Sequence, residues 1–213
     1  MARENLKQIA YTQIKNQILY CELEPNAFLN EEMLCDTLCM SRTPVRDALG
    51  RLEQEGLIQI VPKKGFFVTP VSFNEINMVY EGRMLIEPYV LRNYCDQLRK
   101  DKIKALEATL EAEKSSIGRS SERIFIYDND FHDMLISLCQ NRYFLDLYCK
   151  LRDSNMRLRI VSGMNAEDRL KATVEEHLAV FSGILENNSE KAAAAMIEHL
   201  EKSREAAFRS FSS

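Results

Sequence analysis

The chain has no tryptophan, and only seven glycines and five prolines among its 213 residues. So few turn formers argue against an all-β or disordered chain, while a hydrophobic fraction of 46% is ample for a core. No apolar run approaches the length of a membrane span. The opening Met1-Ala2-Arg3-Glu4-Asn5-Leu6 is charged and amphipathic, unlike a secretion signal, so a cytoplasmic protein without a membrane partner is expected. The six cysteines (21, 35, 39, 95, 139 and 149) include no CxxC pair and are read as reduced, buried small hydrophobes rather than disulfides or a zinc ribbon. No 20–50-residue repeat stands out.

What is present changes character near Pro70. Before it, helical patterns run from Glu4 to about Tyr20, from Glu31 to about Leu38 behind an Asn30 N-cap, and from Ser41 or Thr43 to Gly56. Residues 57–61 and 66–69 are strand-like and flank Pro62-Lys63-Lys64-Gly65, a β-hairpin with a basic tip. From Phe73 onward only helical periodicity is found, in about six segments: 73–97, 101–117, 121–139, 141–162, 166–186 and 189–210. Breaks fall at Asp101, 115–118, Gln140-Asn141, Ser162-Gly163 and Asn187-Asn188, and Pro88 is a candidate kink. The expected fold is mainly α: an N-terminal winged helix-turn-helix over 1–71 and a C-terminal all-α antiparallel helical bundle over 72–213.

Only three histidines occur, and each falls on the apolar face of an expected helix. Ile124, Asp128, Phe131, Leu135 and Leu138 form one stripe, so the Asp128 carboxylate points inward, with His132 at i+4 on the same face. His177 lies among Val174, Leu178, Phe181 and Leu185, and His199 among Met196, Leu200 and Ser203. An unpartnered buried carboxylate is costly, so an inward Asp with three inward imidazoles calls for a cation; the alternative is three unrelated histidines in or near a core. Glu176 faces about 100° away from His177 on an ideal helix and is a poor general base. With no HExxH or other catalytic signature, an enzyme is not expected.

The net charge of -4 gives no global nucleic-acid signature. Residues 1–71 carry 8 Lys+Arg against 9 Asp+Glu, but residues 40–64 carry 5 against 3, so DNA contact would be focused on a small patch and doubled by dimerisation. Arg42 and Arg46 lie one turn apart at the start of the third helix, where Arg can reach guanine in the major groove. Ser41 and Thr43 can donate to phosphates, Lys63 and Lys64 would follow the DNA backbone, and Gly65 would allow close approach to the minor groove. The alternative is that these are ordinary solvated charges.

The ordered run Ser41-Arg42-Thr43-Pro44-Val45-Arg46-Asp47-Ala48-Leu49, then Leu52, Glu55-Gly56-Leu57 and Gly65, closely resembles the signature of GntR-type transcriptional regulators. Similarity continues upstream through Ile18, Leu23-Glu24-Pro25, Leu29 and Leu38. Cys21, Asn26 and Cys39 stand where the family often has Gly, and Glu32 where some members place a DNA-contacting Arg. The second half resembles the FCD effector domain of the FadR-like subfamily, through Arg83-x-x-x-Glu87, Asp128-x-x-Phe131-His132-x-x-Leu135, Glu176-His177 and Met196-x-x-His199-Leu200. Asn187-Asn188 replaces the usual Gly-Asp there.

The resemblance implies one divalent ion held by Asp128, His132, His177 and His199. Zn²⁺, Ni²⁺, Mn²⁺ and Fe²⁺ all suit such a donor set. It also implies a small carboxylate metabolite as effector, a homodimer, and a double-stranded operator whose two-fold symmetry matches it. Arg83 is the leading candidate for an inward cation at the effector. Arg152, Asn155 and Arg159 share one helix face and could line the same cavity or form a solvated stripe. The expected function is a metabolite-controlled regulator, a repressor by the usual direction of the family. The alternatives are a regulator for which the ion itself is the signal, and a metalloenzyme tethered to DNA.

Overall fold

The structure, a computed structural model, describes residues 2–119, 121–161 and 167–211. It separates into two compact units, Met1–Ser72 and Phe73–Ser213, one residue beyond the boundary expected after residue 71.

The first unit is three helices and a small sheet: α1 (Ala2–Leu19), β1 (Phe28–Leu29), α2 (Glu31–Leu38), α3 (Arg42–Gln54), β2 (Ile58–Val61) and β3 (Gly65–Val68). Ala10, Ile14 and Ile18 repeat every four residues along α1 and are fully buried against Val45, Leu49 and Leu52 of α3. Leu6 and Ile9, also apolar along α1, are exposed. Asn30 caps α2, its Oδ1 accepting from the amides of Glu32 and Met33 at 2.9 and 3.2 Å. The sheet order is β1-β3-β2, antiparallel throughout. The two-residue strand β1 has no sequence signal of its own and was not expected. It pairs through Phe28↔Phe67 and Leu29↔Phe66.

Three positions where glycine was anticipated, Cys21, Asn26 and Cys39, all adopt positive φ (57°, 67° and 52°). The turn between α2 and α3 therefore keeps its left-handed corner although Cys39 carries a Cβ. The Cys39 and Met40 amides close it on Asp36 and Cys35 carbonyls at 3.2 and 2.9 Å.

The second unit is helical among the described residues: α4 (Phe73–Tyr94), α5 (Lys100–Ser116), α6 (Ser121–Ile136), α7 (Arg142–Val161), α8 (Glu167–Leu185) and α9 (Ser189–Phe211), with a 3₁₀ turn at Cys95–Gln97. Helix α4 runs through Pro88 without interruption. It packs on α9, α7 and α6, while α8 packs on α9 and α5. The break expected at Ser162-Gly163 lies outside the described residues. Asn187 takes positive φ (53°) and Asn188 Oδ1 accepts from the Lys191 amide at 2.9 Å, so the pair ends α8 and caps α9. Leu178 and Leu185 face outward; the inner face of α8 is Thr173, Val174, His177, Val180, Phe181 and Ile184. Of the six cysteines, only Cys95 and Cys139 are buried, so the expectation of buried thiols fails for Cys39 and Cys149, which are exposed.

Candidate metal centre and nucleic-acid surface

Helix α6 supplies Asp128 and His132 one turn apart, α8 supplies His177, and α9 supplies His199; all four are buried to 2% exposure or less. The imidazoles converge, with ring centroids 5.0 Å (132–177), 5.2 Å (132–199) and 4.6 Å (177–199) apart. One ring nitrogen from each lies within 4.8 Å of the others. Asp128 Oδ1 is 3.8 Å from His177 Nε2. The three histidines named from sequence are thus brought together, with Asp128 beside His177.

Each imidazole is oriented by a carboxylate that the sequence reading did not assign. His132 Nδ1 meets Glu87 at 2.6 Å, His177 Nδ1 meets Glu113 at 3.0 Å, and His199 Nδ1 meets Glu176 at 2.8 Å. A carboxylate on Nδ1 fixes a neutral imidazole in the tautomer whose Nε2 is a lone-pair donor. The Nε2 atoms of His132 and His177 are buried and have no hydrogen-bond partner. Two orphaned imidazole nitrogens beside a third ring and a carboxylate are a donor set that fits a divalent cation.

The carboxylates were partly visible in sequence. Glu87 is at i+4 from Arg83 on the inner face of α4, and Glu113 continues the buried stripe Leu106, Leu110 of α5. Glu176 was set aside because it diverges from His177. It engages His199 on the next helix instead, a pairing that periodicity within one helix cannot reveal.

The electrostatics follow from burial set against neighbours. Burial would raise the Glu87 carboxyl, but Arg83 and His132 hold it down at about 2. Asp128 is likewise lowered despite burial, by Arg159 and the histidines. Burial lowers His132 and, far more strongly, His199. His177 goes the other way, because Glu113 and Asp128 outweigh its burial.

Beside these residues lies a small cavity of about 10 Å³, whose walls include Asp128, His199, Arg83, Asn155, Arg159 and Arg169. Arg83 donates to Glu87 at 2.5 Å, and Arg159 pairs with Asp128 while stacking over Phe125. Arg152 is not brought there. It pairs with Asp133 at 2.6 Å and Asp153 at 3.3 Å on the flank of α7, because seven residues displace it by about 10 Å along the axis from Arg159. Arg169, unremarked in the sequence, grips Glu176 through two bonds of 2.8 and 2.9 Å and donates to Ser203 at 2.8 Å.

In the first unit, Ser41 is the α3 N-cap residue but makes no side-chain cap bond, and Ser41, Arg42, Thr43 and Arg46 are exposed. Arg46 pairs with Glu31 at 2.7 Å. Lys63 (φ 64°) and Lys64 are exposed at the hairpin tip. Gly65 (φ 105°) leaves room for Phe28, whose ring would lie 2.9 Å from a Cβ there.

The FCD domain profile matches residues 78–202, and the profile of bacterial regulatory proteins of the gntR family matches residues 6–68. The chain belongs to the GntR family and carries an FCD domain. This GntR-family chain is 30% identical over 201 residues to an HTH-type transcriptional regulator in an unstable DNA locus of Streptomyces ambofaciens, covering 93% of this chain and 83% of the relative. It is 26% identical over 198 residues to the HTH-type transcriptional repressor RspR of Escherichia coli, covering 92% and 86%. E. coli McbR/YncC shares the fold, with a TM-score of 0.85 at 18% identity over 97% of this chain and 98% of that one. The chain is a DNA-binding transcriptional regulator rather than an enzyme. Among the described residues no helix is long and apolar enough to cross a membrane.

Proposed function

We propose that this regulator is a cytoplasmic, homodimeric repressor released from its operator by a small carboxylate metabolite bound beside a divalent ion. The observation that carries the reading is the set of three imidazoles, each held on Nδ1 by its own carboxylate, with orphaned Nε2 atoms at His132 and His177. Asp128, His132, His177 and His199 would hold the ion, which supplies a Lewis-acidic position for a carboxylate.

Charge supports an anionic ligand. Around the histidines, the four carboxylates of Glu87, Glu113, Asp128 and Glu176 meet the three guanidiniums of Arg83, Arg159 and Arg169. With neutral imidazoles one negative charge is in excess, and a divalent cation turns this into one positive charge. A monoanion restores neutrality. Arg83 and Tyr80 of α4 line the cavity, and α4 follows the wing strand β3 after four residues in the chain. An anion drawn to Arg83 therefore acts on the helix covalently next to the DNA-reading unit. Release requires that the anion bind the DNA-incompetent population more tightly. Ser41, Arg42, Thr43, Arg46, Lys63, Lys64 and Gly65 are the proposed DNA contacts.

A thermal-shift screen of small organic acids with and without chelator, followed by operator binding, tests this. The expected result is stabilisation by carboxylates that disappears on chelation, and loss of operator affinity with the same acids. Release controlled by metal concentration alone would make the ion the signal.

A further inference from the structure

Arg42 and Arg46 project from the first two turns of α3, and among the described residues only Arg46 is held. It donates from Nε to Glu31 Oε2 at 2.7 Å, bridging α3 to the first residue of α2. The two ends of the bridge are unequal, the Glu31 side chain being 24% accessible and that of Arg46 65%. Glu31 is the fixed end. Asn30 caps α2 and so sets the backbone from which Glu31 projects, and Leu34 of α2 shares a core with Val45 and Leu49 of α3. An ion pair this exposed adds little to stability, so its consequence is geometric. Nε carries one of the five guanidinium N–H groups, and the others, on Nη1 and Nη2, hydrogen-bond no described residue. With Nε taken, the guanidinium is oriented and its terminal fork is left free.

We propose that Glu31 is a positioning residue for base readout, holding Arg46 by Nε so that Nη1 and Nη2 meet O6 and N7 of a guanine in the major groove. This rests on the reading of Arg46 as a DNA contact and deepens it. Guanine presents two acceptors side by side, and a planar fork matches both only when correctly oriented. An unrestrained arginine loses rotamer freedom on docking and turns as readily to a phosphate, which carries no sequence information. Glu31 acts against both losses. It orders the guanidinium before DNA arrives, and its charge repels the phosphates that would draw Arg46 aside. Charge and positioning then predict opposite effects of removing it. Taking a negative charge from a DNA-facing surface tightens binding to any sequence. Loss of positioning lowers the preference for guanine.

The test uses a duplex selected by the wild-type full chain from a random-sequence library. Each G·C pair is replaced in turn by A·T, which turns the O6 acceptor into an N6 donor. Fluorescence anisotropy at constant salt gives the ratio of affinities for the original and substituted duplexes. Arg46→Ala identifies the guanine that Arg46 reads, as the position where that ratio falls to about one. There the wild-type ratio is expected to be about tenfold or more, and to fall severalfold in Glu31→Ala while affinity for an unrelated duplex holds or rises. Glu31→Gln, which keeps a weaker, uncharged acceptor for Nε, should lie between the two. An undiminished ratio in Glu31→Ala, or an equal loss of affinity for every duplex, would overturn the inference and leave Arg46 standing as a DNA contact. If no guanine depends on Arg46, that contact and the inference fall together. Should Glu31→Ala not fold, a Glu31→Gln ratio equal to the wild type's would overturn the inference.

Discussion

Glu113 shows how one side chain prepares the centre. It is fully buried on α5, with one oxygen on His177 Nδ1 and the other, Oε1, without a partner. Its role is to hold the imidazole's tautomer and rotation. Glu113→Gln should therefore lower metal affinity about 10- to 100-fold while the chain stays folded, as read by competition with a chromogenic chelator. Unchanged affinity would make Glu113 a structural acid only. Cys39 carries a different burden, a Cβ in left-handed backbone. Cys39→Gly should raise stability by about 1 kcal/mol in chemical denaturation, the relief of strain being partly offset by the freer unfolded chain. At this scale the sequence exposed the inward Asp and histidines through their spacing. It placed Glu87 and Glu113 on inner faces but hid which imidazole each glutamate engages, because a contact with Nδ1 on a neighbouring helix leaves no mark in a helix's own periodicity.

Among the elements, α8 and α9 pack closely at Gly183. A Cβ at Gly183 would lie 2.5 Å from the Ala192 amide nitrogen, which is backbone and cannot give way. Gly183→Ala should separate the helices that carry His177 and His199, costing about 1–3 kcal/mol in thermal unfolding and reducing bound metal together with stability. In the other unit, α1 is tied to α3 by Glu55, which accepts from Tyr11 at 2.7 Å and Lys15 at 2.9 Å. Burial would raise the Glu55 carboxyl, but Lys15 and Tyr11 hold it below its usual value. A lowered carboxylate stabilises the fold above its unfolded pKa and loses that contribution as pH falls through the folded one. Glu55→Gln should thus weaken the chain near neutral pH and have progressively less effect as pH falls below the ordinary carboxylate range, as followed by urea unfolding across pH. The helices were readable from 3.6-residue periodicity and caps. Strand β1 was not, since two residues pairing with a distant strand carry no period.

The whole molecule joins a gntR-type DNA-binding unit to an FCD domain, and each half declared itself differently. The Ser41–Leu49 run and the Asp128/His132 spacing are local, so they survive in one dimension. The cavity is assembled from α4, α6, α7, α8 and α9, so Arg169 and the misplaced Arg152 could be sorted only in three. On the DNA side, Arg42→Ala should weaken operator binding by about 1–3 kcal/mol and relax preference at a guanine; unchanged affinity would remove Arg42 from base readout. The ion is the claim on which the ligand side depends. Elemental analysis of purified chain, saturated with a divalent metal and desalted, tests it most directly: about one equivalent in the wild type and almost none in His177→Ala is the predicted result. A full equivalent retained by His177→Ala, or a wild type that binds none, would contradict it.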